Sequence, residues 1–214
     1  MQILNPIENW RSIRRYEQKE VEKEKINAIL EAGRMAPSWQ NLQPWHFLVI
    51  TEDSGKNKLA EIVTTVKLVQ KAPVVIVVLG DMNGFQRDEA VRLLMEQLGE
   101  RMSEEDLRKY LDRKITSPLN VGIETVKARV LEQLSYAAAF MALEASNQGL
   151  GACVLGGIEN NITEETDKCR EVKEYFGIPK NYEIYTLITL GYPNEKPAKR
   201  SRKNLEEVSS WEKF

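Results

Sequence analysis

Six consecutive residues, Val74-Val75-Ile76-Val77-Val78-Leu79, leave this chain little choice of architecture. Successive side chains of a strand point to opposite faces, so an unbroken β-branched run must be covered on both sides. Pro73, which cannot donate to a ladder, marks its start. Residues 46–51 are a second strand, since Phe47-Leu48-Val49-Ile50 is too apolar for one exposed face. Residues 152–155 form a short buried strand, and residues 183–190 one that alternates and then turns apolar.

Helices fill the intervals. Asn5-Pro6-Ile7-Glu8 reads as a helix start, with Asn5 capping and Pro6 at the first helical position. Residues 21–33 place Ile26, Ile29, Leu30 and Met35 at helical spacing. Asp53 can cap a helix over 54–71, and Ser103 one that opens with Glu104-Glu105-Asp106 inside the polar stretch 81–120. Residues 121–148 form a long helix whose centre, 134–143, is apolar nearly all round and rich in alanine. That centre should be buried, against the chain itself or against a second copy. Asn161-Ile162-Thr163-Glu164 reads as a capping box for a helix to Phe176, with Ile162, Cys169, Val172 and Phe176 on one stripe.

Composition excludes several functions. A net charge of −2 over 214 residues makes no general field for nucleic acid or an anionic membrane, so any anion site must be built locally. No apolar run reaches the roughly 20 residues of a membrane span, and the N-terminus does not read as a signal peptide. Two cysteines, Cys153 and Cys169, make no disulfide framework and place the chain in the reducing cytoplasm. The single histidine, His46, excludes a His-rich metal site, and no metal is expected.

Four stretches carry chemistry. Residues 36–50 join helix to strand through a loop stiffened by Pro37 and Pro44. Ser38, Gln40, Asn41 and Gln43 supply donors and acceptors, and Trp39 and Trp45 broad faces. Such a loop suits a planar heterocycle with a donor/acceptor rim, or is a connector with two core tryptophans. Arg11-Ser12-Ile13-Arg14-Arg15 places planar cationic forks beside a hydroxyl, as a phosphate would need or a solvated basic face would show. Gly149-Leu150-Gly151 begins like a dinucleotide fingerprint but follows a helix and precedes a strand, which rules that site out. Gly156-Gly157, after the strand, lets backbone approach a ligand closely. Arg200-Ser201-Arg202 lies in a polar tail, 194–214, that has no core of its own.

Taken in order, Arg11 to Arg14, Pro37-Ser38-x-x-Asn41-x-Gln43-Pro44-Trp45, Gly156-Gly157, and Gly191-Tyr192-Pro193 followed by Arg200-x-Arg202 resemble the nitroreductase family of FMN-dependent oxidoreductases. The resemblance implies an α+β fold with a central, mostly antiparallel sheet flanked by helices, in a single domain over 1–214 that forms a homodimer with FMN at the interface. It implies that Arg11, Ser12, Arg14, Arg200 and Arg202 hold the phosphate and ribityl chain. Trp10 stands where the family often has another arginine. A backbone N–H of Gly156 or Gly157 would meet flavin N5, and Pro37, Ser38, Trp39 and Asn41 would face the flavin held mainly by the other chain. Segment 81–120 would shape the substrate pocket, and the tail would pack on the partner. NADH or NADPH would deliver a hydride to flavin N5, and a nitroaromatic or quinone acceptor would take the electrons in a ping-pong cycle. The cofactor carries that chemistry, so no catalytic side chain is expected. Dehalogenating or flavin-cleaving enzymes of the same fold, and a non-catalytic flavin-binding protein, are the alternatives.

Overall fold

The computed structural model describes residues 3–159 and 166–214. In chain order the elements are α1 (Asn5–Asn9), α2 (Lys23–Arg34), β1 (Trp45–Ile50), α3 (Asp53–Leu59), α4 (Val66–Lys71), β2 (Val74–Asp81), α5 (Arg87–Leu98), α6 (Glu104–Leu111), α7 (Ile123–Asn147), β3 (Gly151–Leu155), α8 (Asp167–Tyr175) and β4 (Tyr182–Gly191). The strands make one four-stranded sheet in the order β1-β2-β4-β3, every neighbouring pair antiparallel. This is the α+β architecture expected.

The β-branched run is the heart of it. Every residue of β2 from Val74 to Gly80 is buried. Val74, Ile76 and Val78 face one layer, with Ile26 and Ile29 of α2, Val91 and Leu94 of α5, and Val130, Leu134 and Met141 of α7. Val75, Val77 and Leu79 face the other, with Leu59, Ile62 and Val69 and with Cys169 and Val172 of α8. Burying each such side chain contributes about 1.5–3 kcal/mol, which fixes β2 in the middle. Ile13 and Tyr16 belong to the second layer, so the segment after α1 is part of the core.

Several local expectations are corrected. Leu4, not Asn5, occupies the N-cap of α1, and the Asn5 side chain accepts instead from Asn9 Nδ2 at 2.8 Å. Glu52 precedes α3, while Asp53 pairs with Lys56 at 2.8 Å. The helix expected over 54–71 breaks after Leu59 into a 3-10 turn, Ala60–Ile62, before α4. Ile62-Val63-Thr64-Thr65 is β-branched throughout and crowds a helix. Its backbone finds other partners, with Val63 bridging Ile158 and Thr64 N–H donating to Gly157 O at 2.9 Å. Ser103 does cap α6, its Oγ accepting from Asp106 N at 3.1 Å. The capping box at 161–164 and the packing of Ile162 lie outside the described residues. Within them, Thr166 caps α8. Met35 stands exposed past the end of α2.

Helix α7 is not buried all round. Leu134, Ala137, Ala138, Met141, Ala142 and Ala145 are buried, whereas Tyr136 and Phe140 are 39% and 41% exposed. The sheet and α2 cover most of its apolar surface, and among the described residues the stripe of Tyr136 and Phe140 stays open. The tail is exposed throughout from Ala198, with Trp211 at 91%.

Candidate functional site

The site begins where the two ends of the chain meet. Residues 12–16 run extended along β3. Ser12 bridges Ala152 in the parallel sense, Ile13 N–H donates to Ala152 O at 2.9 Å, and Tyr16 bridges Pro193. The Tyr16 hydroxyl donates to Ile13 O at 2.6 Å and lies 2.7 Å from Thr189 Oγ1. Burial pushes its pKa up, so it stays protonated. Glu17 N–H donates to Tyr192 O and Asn194 N–H to Arg15 O, both at 2.9 Å. Glu195 Oε1 accepts from Arg14 N at 2.5 Å and Arg15 N at 3.2 Å.

This stitching holds the segment of Ser12 and Arg14 against the start of the tail that carries Arg200. Ser12 is only 7% exposed and lies beside β3 through its bridge to Ala152. Burial raises the Cys153 thiol pKa, and the positive charge of Arg14, the Ser12 hydrogen bond and the charge of Arg200 oppose it. Both positive charges are felt at Cys153 of β3. Among the described residues neither makes an ion pair. Arg202 donates to Ser201 O at 3.0 Å.

Arg11 is turned away. Its guanidinium donates to Glu8 O at 3.0 Å and Trp10 O at 2.6 Å, at the C-terminal end of α1. With Trp10, Ile13, Glu195 and Lys196 it lines a cleft of about 510 Å³ whose lining includes neither Ser12 nor Arg14. Alternate residues of an extended segment face opposite ways, which separates Arg11 and Ile13 from Ser12 and Arg14. Trp10 also borders an apolar groove of about 460 Å³ with Ile7, Ala139, Leu143, Val154 and Tyr185. Its buried Nε1 has no partner.

Gly156 and Gly157 follow β3 and differ in what they are for. A Cβ on Gly157 would collide with Thr64 Oγ1, so internal packing accounts for that glycine. A Cβ on Gly156 would meet nothing within 4 Å, and its φ is not positive. Among the described residues nothing requires glycine there, whereas a closely approaching ligand would.

The loop before β1 is rigid and strained. Gln40, Asn41 and Gln43 have φ of 50°, 56° and 51°, left-handed values unusual outside glycine. The conformation is over-determined from several sides. Ser38 Oγ accepts from Gln43 N at 3.1 Å, Gln40 Nε2 donates to Thr116 O at 3.0 Å, and Gln97 Nε2 to Asn41 O at 3.2 Å. Trp39 N–H donates at 3.0 Å to Oε1 of Gln133, a glutamine 1% exposed on α7, and the Arg129 guanidinium lies 4.5 Å from the Trp39 ring centre. Gln133 was visible in sequence only as a polar residue in an apolar helix. Pro37 is exposed and Ser38 partly so. His46 is exposed, its ring edge-on to Tyr182.

Within one chain the loop and the arginines do not meet. The loop leads into β1 at one edge of the sheet, while Ser12 lies outside β3 at the other. Three strand spacings separate those edges, about 14 Å before the offset along the strands is counted. Among the described residues no cluster of His, Cys, Asp or Glu is placed to hold a metal. No helix among them is long and apolar enough to cross a membrane.

Comparison with known proteins assigns the chain to one family. The model of the Nitroreductase family matches residues 7–192, and the chain belongs to that family. It is 30% identical over 203 residues to an NADH dehydrogenase of Thermus thermophilus, covering 94% of this chain and 91% of that one. It is 25% identical over 191 residues to the oxygen-insensitive NADPH nitroreductase of Helicobacter acinonychis, covering 88% and 85%. A crystal structure of an Exiguobacterium sibiricum protein in complex with FMN superposes with a TM-score of 0.78 at 25% identity, covering 99% and 98%.

Proposed function

We propose that this chain is an FMN-dependent oxidoreductase that takes reducing equivalents from NADH or NADPH and passes them to a nitroaromatic, quinone or similar acceptor by a ping-pong cycle. The observation that carries it is the stitching of the two chain ends beside β3, which holds Ser12 and Arg14 against the start of the tail that carries Arg200, with neither guanidinium in an ion pair among the described residues. Two planar cations and a hydroxyl fit a phosphate dianion. Gly156, with open space where a Cβ would be, fits the close passage of a flavin ring, and Arg202 is near enough in sequence to add to the phosphate site. When bound, FMN supplies the hydride chemistry at N5. The protein's part is to anchor the phosphate, present backbone to the ring and exclude water. No described side chain is needed as an acid or base.

The site is completed by a second copy of the chain. The separation of the loop from the arginines supports this, because Pro37, Ser38, Trp39 and Asn41 can face the flavin only from a partner. The uncovered face of α7, with Tyr136 and Phe140, and the adjoining apolar groove fit the seam between the copies. The exposed tail, with Trp211, fits the partner's surface. Segment 81–120, tied to the loop through Gln97 and Thr116, shapes the acceptor pocket. Arg11, which caps α1, has at most a weak part in binding phosphate. Both cysteines are buried and neither is in a disulfide, which suits the cytoplasm.

Two measurements test this reading. The purified protein should show a flavin spectrum that bleaches anaerobically with NADH or NADPH and recovers on adding a quinone. A colourless protein that also fails to take up added FMN would overturn it, and a flavin that neither nucleotide bleaches would favour the storage or special-reductant alternatives. Phe140→Glu should convert the dimer to monomers in sedimentation experiments at micromolar concentration, because it puts an unpaired charge into an apolar seam. A dimer unaffected by the change would place the seam elsewhere.

A further inference from the structure

We propose that Glu195 is a positioning residue that assembles the phosphate site before FMN arrives. The inference rests on the FMN reading above and adds a residue to it. Glu195 is the acidic member of an otherwise basic neighbourhood, between Arg14 and Arg15 on one side and Lys196, Lys199 and Arg200 on the other. A carboxylate there repels a phosphate, so its presence needs a reason.

The reason lies in what it binds. Glu195 Oε1 accepts from two consecutive backbone N–H groups, Arg14 N at 2.5 Å and Arg15 N at 3.2 Å. Backbone donors need an acceptor, and two successive N–H groups that turn to one side form a small anion cradle. By filling this cradle Glu195 does two things. It crosslinks segments 181 residues apart, so that Arg200, five residues further on, is tethered by no more than about 17 Å of chain to the residue that holds Arg14. It also spends its charge on main chain, so the Arg14 guanidinium remains free for an incoming anion. Among the described residues that guanidinium makes one hydrogen bond, of 3.4 Å to Ser12 O. The Tyr16 hydroxyl holds the same segment from the core side through Ile13 O.

Acceptor geometry and charge can be separated. Glu195→Gln keeps an oxygen acceptor of the same reach and removes the charge. Glu195→Asp keeps the charge and shortens the reach by a methylene. FMN and riboflavin are titrated by fluorescence into flavin-free full-length protein of each variant and of Glu195→Ala. Glu195→Gln should bind FMN as tightly as the parent or tighter, while Glu195→Ala and Glu195→Asp should bind it roughly tenfold more weakly. Riboflavin, which lacks the phosphate, should bind all four proteins within about twofold. Two outcomes overturn the proposal: Glu195→Asp retaining parental FMN affinity, or loss of FMN and riboflavin affinity in equal measure. The Asp and Gln variants decide the matter even if Glu195→Ala does not fold. A parent protein that binds neither flavin defeats the FMN reading itself, whereas a parent that binds FMN while every variant matches it defeats only the role of Glu195.

Discussion

Replacing Arg14 and Arg200 together with alanine is expected to release FMN. Each guanidinium bonded to phosphate contributes about 1.5–3 kcal/mol as a charge-assisted hydrogen bond. Losing both costs about 3–6 kcal/mol, or roughly two to four decades in Kd. Riboflavin affinity should hardly change, because the isoalloxazine and ribityl contacts remain. The flavin-free protein should melt within about 1 °C of the parent, since both side chains are exposed and neither forms an ion pair whose partner would be stranded. Arg202→Ala alone should cost less, because its guanidinium turns back to Ser201 O. Titration of FMN and riboflavin, with a thermal melt of each flavin-free protein, checks all of this. An FMN affinity within threefold of the parent would remove these arginines from the phosphate site.

Leu134→Ala should cause the largest loss of stability of any single change considered. Leu134 is fully buried on α7 and packs where the helix crosses β2. The approach there is close. A Cβ on Gly80 would fall 2.7 Å from both Leu134 Cδ1 and Val130 Cγ1, so the strand is glycine at the crossing. Truncation leaves a void between helix and strand that neither rigid element can collapse to fill. A cost of about 3 kcal/mol follows, and for a chain of this length a fall in melting temperature of about 6–12 °C. Ile115→Ala, at a side chain 79% exposed, serves as the control and should change stability by less than about 0.5 kcal/mol. Equal effects from the two changes would mean that the α7–β2 contact is not the organising one.

Local rules recovered the elements and failed at their seams. The strand at 74–79, the long helix near 121–148 and the Ser103 cap could be read because each depends on a few neighbouring residues. The break after Leu59 was missed because a helical spacing was extended across four β-branched residues that had backbone partners waiting at Gly157 and Ile158. The turn of the Arg11 guanidinium to Glu8 O and Trp10 O could not be read either, because adjacency in sequence does not reveal which way a side chain leaves a segment. Glu195 carried no signal at all, since its partners are separated from it by nearly the whole chain. The apolar circumference of α7 announced burial but could not say by what, because the sheet covers only one face.

By itself the sequence determined that β2 lies at the centre of a covered sheet, that helices surround it, and which four stretches are chemically unusual. Burial on both faces and helical periodicity are properties of consecutive residues, and they survive without knowledge of the rest. Only the tertiary structure decided that Glu195 ties the Arg14 backbone to the start of the tail, that the Arg11 guanidinium turns to the end of α1, and that the strained loop leads into the sheet edge opposite Ser12. Those relations depend on strand order and on contacts between distant residues, where chain-closure entropy is offset by burial and not by any local preference.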